Sequence, residues 1–563
     1  MGISYGVPAL VYNIINDVNW GTLAVTAITF VIASRALKLI DGLKAVNFLP
    51  GLRIPFQPLS LLGVILPEST WNPGLLFTWS WRHTRNLYAH YGNDTISIVP
   101  YLSGVPSLYT QSMDVARQVV VAGHKSATFG KADSMSAALL FWGPSIVSSE
   151  RDVWRKHRRI MGPAFNNETY ALVWSASRNL YTDMLTAEGW NDQNTIDVPC
   201  VQTFTFKFTL IIIASCGFGL PFTWVTPPSH GGEMSIQECI QTISRTNTFA
   251  ITAPKWAWKL PFKWVQQTRR AYDSMRAFMH AQVQERKKAL HSSATREKDV
   301  FSRLVEASED EGGKMALKDD ELIGNIFAIL FAGHETTAHT LAATLGFLAL
   351  HEDIQEEVAK QVKEVTRARE GGEALLEDYP KLDKVLAAFY EGVRMFPSGV
   401  FLIREAKQDT TLTLEVGGAK SVLPIKKGTH IVVDMVGVQY NQKYFAEPEE
   451  FRPSRWHKGG GGQDKEDLTE SEAFTAFSFG PRTCIGRKFA TTEAVCLLSL
   501  LLRDWRVEPL LAPKASSTNE NSAKSSSAVL ETHEEWRARV MQATLELTMG
   551  IKNVPLRFVR RVY

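Results

Sequence analysis

One run of about 30 residues limits what this chain can become. From Asp319 onward, Leu322, Ile326, Ile329, Leu330, Thr337, Leu341, Leu345 and Leu348 recur at helical spacing. The acidic residues at its start suit the positive end of a helix dipole. At 1.5 Å per residue such a helix is about 45 Å long, enough to cross a whole domain. Helical runs dominate the middle of the chain, whereas the alternating stretches at 410–415 and 429–433 predict a small sheet. A chain of 563 residues holds either several ordinary domains or one large helical domain with a satellite sheet. These patterns favour the second, a mainly α fold with a small β domain. Residues 48–55, with Pro50, Gly51 and Pro55, read as a stiff, turn-rich connector. Residues 308–320 and 514–527 read as solvated loops.

The N-terminal region carries a second apolar run. No charge occurs between Val18 and Ser34, and Leu37 to Ile40 extend the stretch toward the ~20 residues that span hydrocarbon. The basic residues Arg35, Lys38, Lys44 and Arg53 follow the run instead of preceding it. That order argues against a cleaved signal peptide and places the following residues on the cytosolic side. We expect residues 1–45 to form a luminal tail and a single membrane anchor, and residues 46–563 the catalytic domain. A buried core helix is the alternative. Trp256, Trp258, Phe262 and Trp264 among Lys255, Lys259 and Lys263 suit either a bilayer interface or an ordinary aromatic core. A net charge of +3 makes no case for a nucleic-acid partner. Five scattered cysteines with no C-x-x-C pair exclude a disulfide framework and a zinc ribbon, and fit a reducing compartment. Sequons at Asn93 and Asn167 should stay unmodified in that topology.

Two segments carry chemistry. Phe477-Ser-Phe-Gly-Pro-Arg-Thr-Cys-Ile-Gly486 leads straight into a run of helix formers. A cysteine at a helix N-terminus meets free N–H groups and a positive dipole, and both favour the thiolate. Gly480 and Gly486 let the backbone wrap close to a flat ligand. Arg482 can pair with an anionic group on that ligand, and Phe477 can shield the sulfur. Cys496 reads as an ordinary buried thiol. In the long helix, Ala332-Gly-His-Glu-Thr-Thr-Ala-His339 imitates a zinc motif, but its histidines are five apart and differ by about 140° around the helix. Glu335 beside Thr336 suits proton delivery better, with Gly333 weakening the helix where a ligand approaches.

The decapeptide 477–486 resembles the haem-binding signature of the cytochrome P-450 family, F-x-x-G-x-R-x-C-x-G, at every specified position. Residues 332–337 are similar to the family's A/G-G-x-D/E-T-T motif. Glu391-Gly-Val-Arg394 with Phe451-Arg-Pro-Ser-Arg455-Trp456 resembles its E-x-x-R helix and F-x-P-E-R-F partner, departing at Ser454 and Trp456. Trp154 and Arg158 resemble its W-x-x-x-R helix.

The resemblance implies haem b with Cys484 as axial thiolate ligand to the iron, and Thr336 as the oxygen-activating threonine with Glu335 its acidic partner. It also implies propionate contacts from Trp154, Arg158, Arg482 and Arg404, and a structural network of Glu391, Arg394 and Arg455. Electrons would come from NADPH through a reductase in the endoplasmic reticulum membrane, docking on Arg151, Lys156, Arg159, Arg487 and Lys488. One oxygen atom of O₂ would enter a lipophilic substrate by hydroxylation or epoxidation. The sequence resembles fungal members acting on terpenoid secondary metabolites or hydrophobic xenobiotics. Substrate walls are expected at 125–147, 205–264 and 397–403, with Phe141, Trp142, Val400 and Phe401 apolar. A reductase-independent isomerase or dehydratase and a membrane zinc hydrolase are the competing readings.

Overall fold

The computed structural model describes residues 20–132, 140, 142–220, 222–225, 234–290, 299–311, 316–367, 369, 372–457, 471–514, 529–545 and 548–562. Phe141, residues 1–19, where the luminal tail is expected, and most of the 514–527 loop therefore lie outside the described residues. The chain forms two units, Met1–Gly130 with Ile403–Val433, and Lys131–Leu402 with Asp434–Tyr563.

The first unit opens with the helix Trp20–Ala45, long and apolar enough to cross a membrane. Side chains over residues 21–33 face outward, Phe30 with 74% of its surface exposed, while Leu39 and Leu43 pack on the core beside the sheet. Near its end Arg35 and Lys38 both donate to the Leu102 carbonyl, at 3.1 and 3.0 Å, which fastens the helix to the sheet behind it. That sheet has six strands in the order Gly51–Phe56, Thr95–Ser103, Ser107–Thr110, His430–Asp434, Phe401–Ala406 and Phe129–Gly130. The expected proline-stiffened connector is thus partly a strand. Gly51–Phe56 pairs in parallel with Thr95–Ser103, at the sheet edge where Pro55 is tolerated. Glycine is needed at 51 because a Cβ would stand 1.9 Å from the Ser97 carbonyl oxygen. A hairpin of Thr410–Val416 and Ala419–Ile425 buries Leu412, Leu414, Leu423 and Ile425 in the same core as Val99, Leu108 and Ile431. Asn93 is buried here, so of the two sequons only exposed Asn167, in the second unit, presents its side chain to solvent.

The second unit is mainly helical and is built around the helix Asp319–Leu350. Its 32 residues run without a break through Gly333. Leu341, Leu345 and Leu348 are fully buried, each contributing about 1.5–3 kcal/mol by leaving water. Gln202–Ile212, Asp383–Met395 and Arg487–Asp504 pack against it. The helix Val300–Glu311 replaces the first part of the loop expected at 308–320. Small sheets complete the unit: Trp505–Pro509, Leu556–Arg560 and Thr195–Val198, and the hairpin Ala543–Leu545 with Met549–Ile551. The aromatic-basic segment divides. Trp256, Phe262 and Trp264 are exposed, whereas Trp258 packs on Phe249 and Tyr272.

Candidate active site

Cys484 follows a single turn, Gly480–Arg482, and precedes the helix Arg487–Asp504. Gly480 has φ +68, a conformation glycine adopts without strain. Gly486 has an ordinary φ, and the nearest protein atom to a Cβ there is the Cys484 sulfur at 3.9 Å. The Cys484 N–H donates to the Phe477 carbonyl at 2.8 Å, closing the loop on itself. The Phe477 ring packs among Tyr390, Phe474 and the Arg487 guanidinium.

Cys484 is an exposed residue, although protein surrounds it at longer range. Burial pushes its thiol up, while the N–H groups of Gly486 and Arg487 and the charges of Arg158 and Arg487 pull the other way. The other four cysteines have no such setting. Burial pushes the Cys216 thiol to about 12, and Cys496 is fully enclosed with its Sγ against the Trp174 carbonyl.

The long helix offers a second accessible surface. Ala328, Ile329, Ala332, Gly333 and Thr336 are at least partly exposed, whereas most of their neighbours on this helix are buried. These positions are three or four apart and form one stripe. The Thr336 hydroxyl donates to the Ala332 carbonyl at 2.6 Å. The helix runs unbroken through Gly333, which makes room, since a Cβ there would stand 3.0 Å from Ile213. Beside the stripe Trp142 stacks on Phe327 at 3.7 Å and on Tyr272 at 4.5 Å, giving the second unit an aromatic wall.

Three of the four expected anionic-group contacts lie together. The Arg482 guanidinium sits 4.7 Å from the Trp154 ring centroid, and Arg158 donates to the Thr483 carbonyl at 3.2 Å. Trp154 and Arg158 are one turn apart on the helix Arg151–Met161. Arg404 lies on the strand Phe401–Ala406 of the first unit and donates to the Ile403 carbonyl. The basic surface expected to receive a reductase is largely engaged within the chain. Lys156 pairs with Glu321 at 2.8 Å, Arg159 with Glu311 at 2.9 Å, and Lys488 lies over the Tyr379 ring.

Glu391, Arg394 and Arg455 meet in a closed cluster. Arg394 donates to both carboxylate oxygens of Glu391 at 2.9 Å, and Arg455 donates to one at 3.0 Å. Trp456, a departure from the family pattern, donates its indole N–H to the same carboxylate at 2.8 Å. A phenylalanine would leave that acceptor with one donor fewer.

The histidines of the zinc-like string do not converge on an ion. His334 is bonded through Nδ1 to the Leu330 carbonyl, and the His339 ring lies against Gly550. Both border the Phe206 ring. Among the described residues no group of three His, Cys, Asp or Glu is placed to hold a metal ion.

Two residues escaped the sequence reading. Glu335 accepts from both the N–H and the hydroxyl of Thr548, at 2.9 and 2.8 Å, more than 200 residues away. No local signal marks Thr548. Glu493 is buried nine residues after Cys484, and neither oxygen has a hydrogen-bond partner of good geometry. A lone acid in the run Thr491-Thr-Glu-Ala-Val-Cys-Leu-Leu498 was a readable signal.

A cysteine just ahead of a helix N-terminus, with Trp154, Arg158 and Arg482 gathered beside its loop, is a donor set that fits a flat, anionic iron porphyrin. Comparison with known proteins agrees. A family model for cytochrome P450 matches residues 81–531. The "Cytochrome P450 monooxygenase 124" of Postia placenta is 31% identical over 519 residues, 91% of this chain and 94% of its own. The "Cyclooctat-9-en-7-ol 5-monooxygenase" of Streptomyces melanosporofaciens is 26% identical over 70% of this chain and 79% of its own. Human "Cytochrome P450 4F2" is 28% identical over 70% and 75% respectively. With four fifths of its length matched and a relative similar almost end to end, this chain belongs to the cytochrome P450 family and is a monooxygenase, an oxidoreductase that incorporates oxygen with a haem-iron cofactor.

Proposed function

We propose that the chain holds haem b through Cys484 and inserts one atom of O₂ into a C–H bond or double bond of a lipophilic, terpenoid-like metabolite or xenobiotic. When bound, the haem iron supplies oxygen activation, to which a thiolate ligand contributes electron density. The rest falls to side chains. Trp154, Arg158, Arg482 and Arg404 hold the propionates, and Phe477 covers the sulfur. Glu391, Arg394 and Arg455 brace the fold beneath. Thr336 holds a proton at its Oγ on the accessible stripe, and Glu335 replenishes it. Trp142, Phe327 and Phe331 present an apolar, aromatic wall that suits a large hydrophobic molecule. The terpenoid class draws on the name of the Streptomyces relative, a monooxygenase of cyclooctat-9-en-7-ol.

The helix Trp20–Ala45 anchors residues 46–563 to the cytosolic face of the endoplasmic reticulum, where a membrane reductase passes on electrons from NADPH. The Glu335–Thr336 pair favours this reading over a reductase-independent isomerase, which needs no proton supply.

The observation that carries the proposal is the exposed Cys484 just ahead of the N-terminus of its helix, beside Trp154, Arg158 and Arg482. It is tested by the reduced, carbon monoxide-bound difference spectrum of membranes containing the full chain. A strongly red-shifted Soret band is expected, lost in Cys484→Ala. Haem-replete protein that lacks the band, or keeps it in the variant, rules out Cys484 as ligand.

A further inference from the structure

The C-terminal hairpin meets the long helix at two points. Thr548 gives Glu335 two hydrogen bonds, and Gly550 lies so close to the His339 ring that a Cβ there would stand 2.2 Å from Cε1. Glu335 and His339 are four apart on a helix, about 6 Å of rise. Thr548 and Gly550 are two apart on an extended segment, about 7 Å. The two spacings match, so strand and helix lie in register, with glycine obligatory at one contact and a double donor at the other. The Met549 N–H, between them, donates to the Ser398 carbonyl at 2.9 Å. The hairpin is therefore tied both to the helix and to the 397–403 segment expected to wall the substrate.

The direction of the Glu335 carboxylate follows from this contact. Adjacent helix positions point about 100° apart, so Glu335 does not face where Thr336 faces. Its side chain is buried, and one oxygen takes both Thr548 donors. A buried carboxylate is held by the donors that pair with it, because an unpaired buried charge is strongly disfavoured.

We propose that Thr548 is the positioning residue of Glu335: the hairpin holds the carboxylate in place beside the Thr336 stripe, and so ties proton delivery to the seating of the hairpin. The inference rests on the reading of Glu335 and Thr336 as the proton-supplying pair. The protons concerned decide the fate of O₂. Two electrons and two protons release it as H₂O₂. Four of each, in the absence of substrate, cleave the O–O bond and give two H₂O. The electrons come from NADPH through a reductase. A misplaced carboxylate shifts the balance toward peroxide.

The test uses the full-length holoenzyme in membranes with a microsomal NADPH reductase and no added substrate. Peroxide formed per O₂ consumed is measured across pH for wild type, Glu335→Gln, Thr548→Val and Thr548→Ser. Each variant is first checked for its carbon monoxide spectrum. Hydrogen exchange of residues 543–551 is measured on the same samples. We expect the peroxide fraction to rise several-fold in Glu335→Gln and in Thr548→Val, and to stay near wild type in Thr548→Ser, which keeps the hydroxyl. Exchange in the hairpin should quicken in the first two and not in the third. An unchanged fraction in Glu335→Gln defeats the reading of the pair itself. A raised fraction in Glu335→Gln with an unchanged one in Thr548→Val leaves that reading standing and overturns the positioning role. Faster exchange without a change in peroxide reduces Thr548 to a structural clamp. Should Thr548→Val fail to assemble, Glu335→Asp keeps both Thr548 donors but shortens the reach. It must then raise the fraction, or the proposal fails.

Discussion

Glu391 and Glu493 lie in different helices of the second unit, each with no more than 1% of its surface exposed. Glu391 accepts from Arg394 twice, from Arg455, from the Trp456 indole and from the Arg452 N–H. Glu493 finds no donor of good geometry for either oxygen. Burial pushes both carboxyls up. At Glu391 the charges and hydrogen bonds of Arg394 and Arg455 outweigh it and hold the group below the usual carboxylate range. At Glu493 only the nearby Thr337 hydroxyl opposes burial, and the group is pushed well above that range. Equal burial thus ends with one carboxyl shifted down and the other shifted up. Partners, not depth, set the charge.

The largest effect should come from breaking the partnered site. Glu391→Gln leaves Arg394 and Arg455 as buried cations without a counter-ion. Removing one member of such a cluster costs about 3–5 kcal/mol. We expect Glu391→Gln to lose most of its haem-bound protein at 37 °C, seen as a fall in carbon monoxide-binding chromophore and in the urea midpoint. A variant with wild-type stability would show that the two arginines find other acceptors. Arg394 already donates to the Gln439 and Glu450 carbonyls.

A milder change sharpens the comparison by removing one donor of five. Trp456→Phe restores the residue of the family pattern and deletes the indole N–H. A hydrogen bond to a charged acceptor contributes about 1.5–3 kcal/mol. With four donors remaining, we expect the low end of that range, read from urea unfolding. The loss should vanish in a Glu391→Gln background if the indole acts through the carboxylate. An equal loss in both backgrounds would assign it to the packing of Trp456 against Phe474 and Tyr390 instead.

What could be read from the sequence follows the same division. The Cys484 loop, the Glu391–Arg394 pair and the Asp319–Leu350 helix are local patterns, set by spacing within one element, and residue order alone exposes them. The long-range partners were out of reach. Thr548 meets Glu335 across 213 residues, and nothing near Thr548 or Gly550 announces a helix beneath. Residues 51–56 read as a connector because Pro50, Gly51 and Pro55 dominate local propensity, yet pairing with Thr95–Ser103 makes them a strand. Lys156 and Arg159 read as part of a docking surface because their acidic partners, Glu321 and Glu311, lie more than 150 residues away in the chain. Gly333 suggested a weak point in the helix, and its real neighbour, Ile213, belongs to another element.

The smallest effect, and the most diagnostic, belongs to Glu493. Its raised pKa means that the native state keeps a proton the unfolded chain gives up. Stability from this group is therefore full below the ordinary glutamate range and falls as pH rises toward the raised native value. Glu391 has the opposite sign: its contribution is present above the ordinary range and is lost as pH falls toward its lowered native value. Glu493→Gln replaces a neutral acid by an amide of nearly the same shape. It should change stability little at acidic pH, where both side chains are uncharged, and become progressively more stable than wild type as pH rises. The measurement is the unfolding midpoint of the detergent-solubilised holoprotein across pH, for both proteins. Infrared difference spectroscopy should also show a protonated carboxyl carbonyl band near neutrality that the variant lacks. Parallel midpoint profiles and no lost band would mean that Glu493 is ionised in the native protein and therefore has donors as good as those of Glu391.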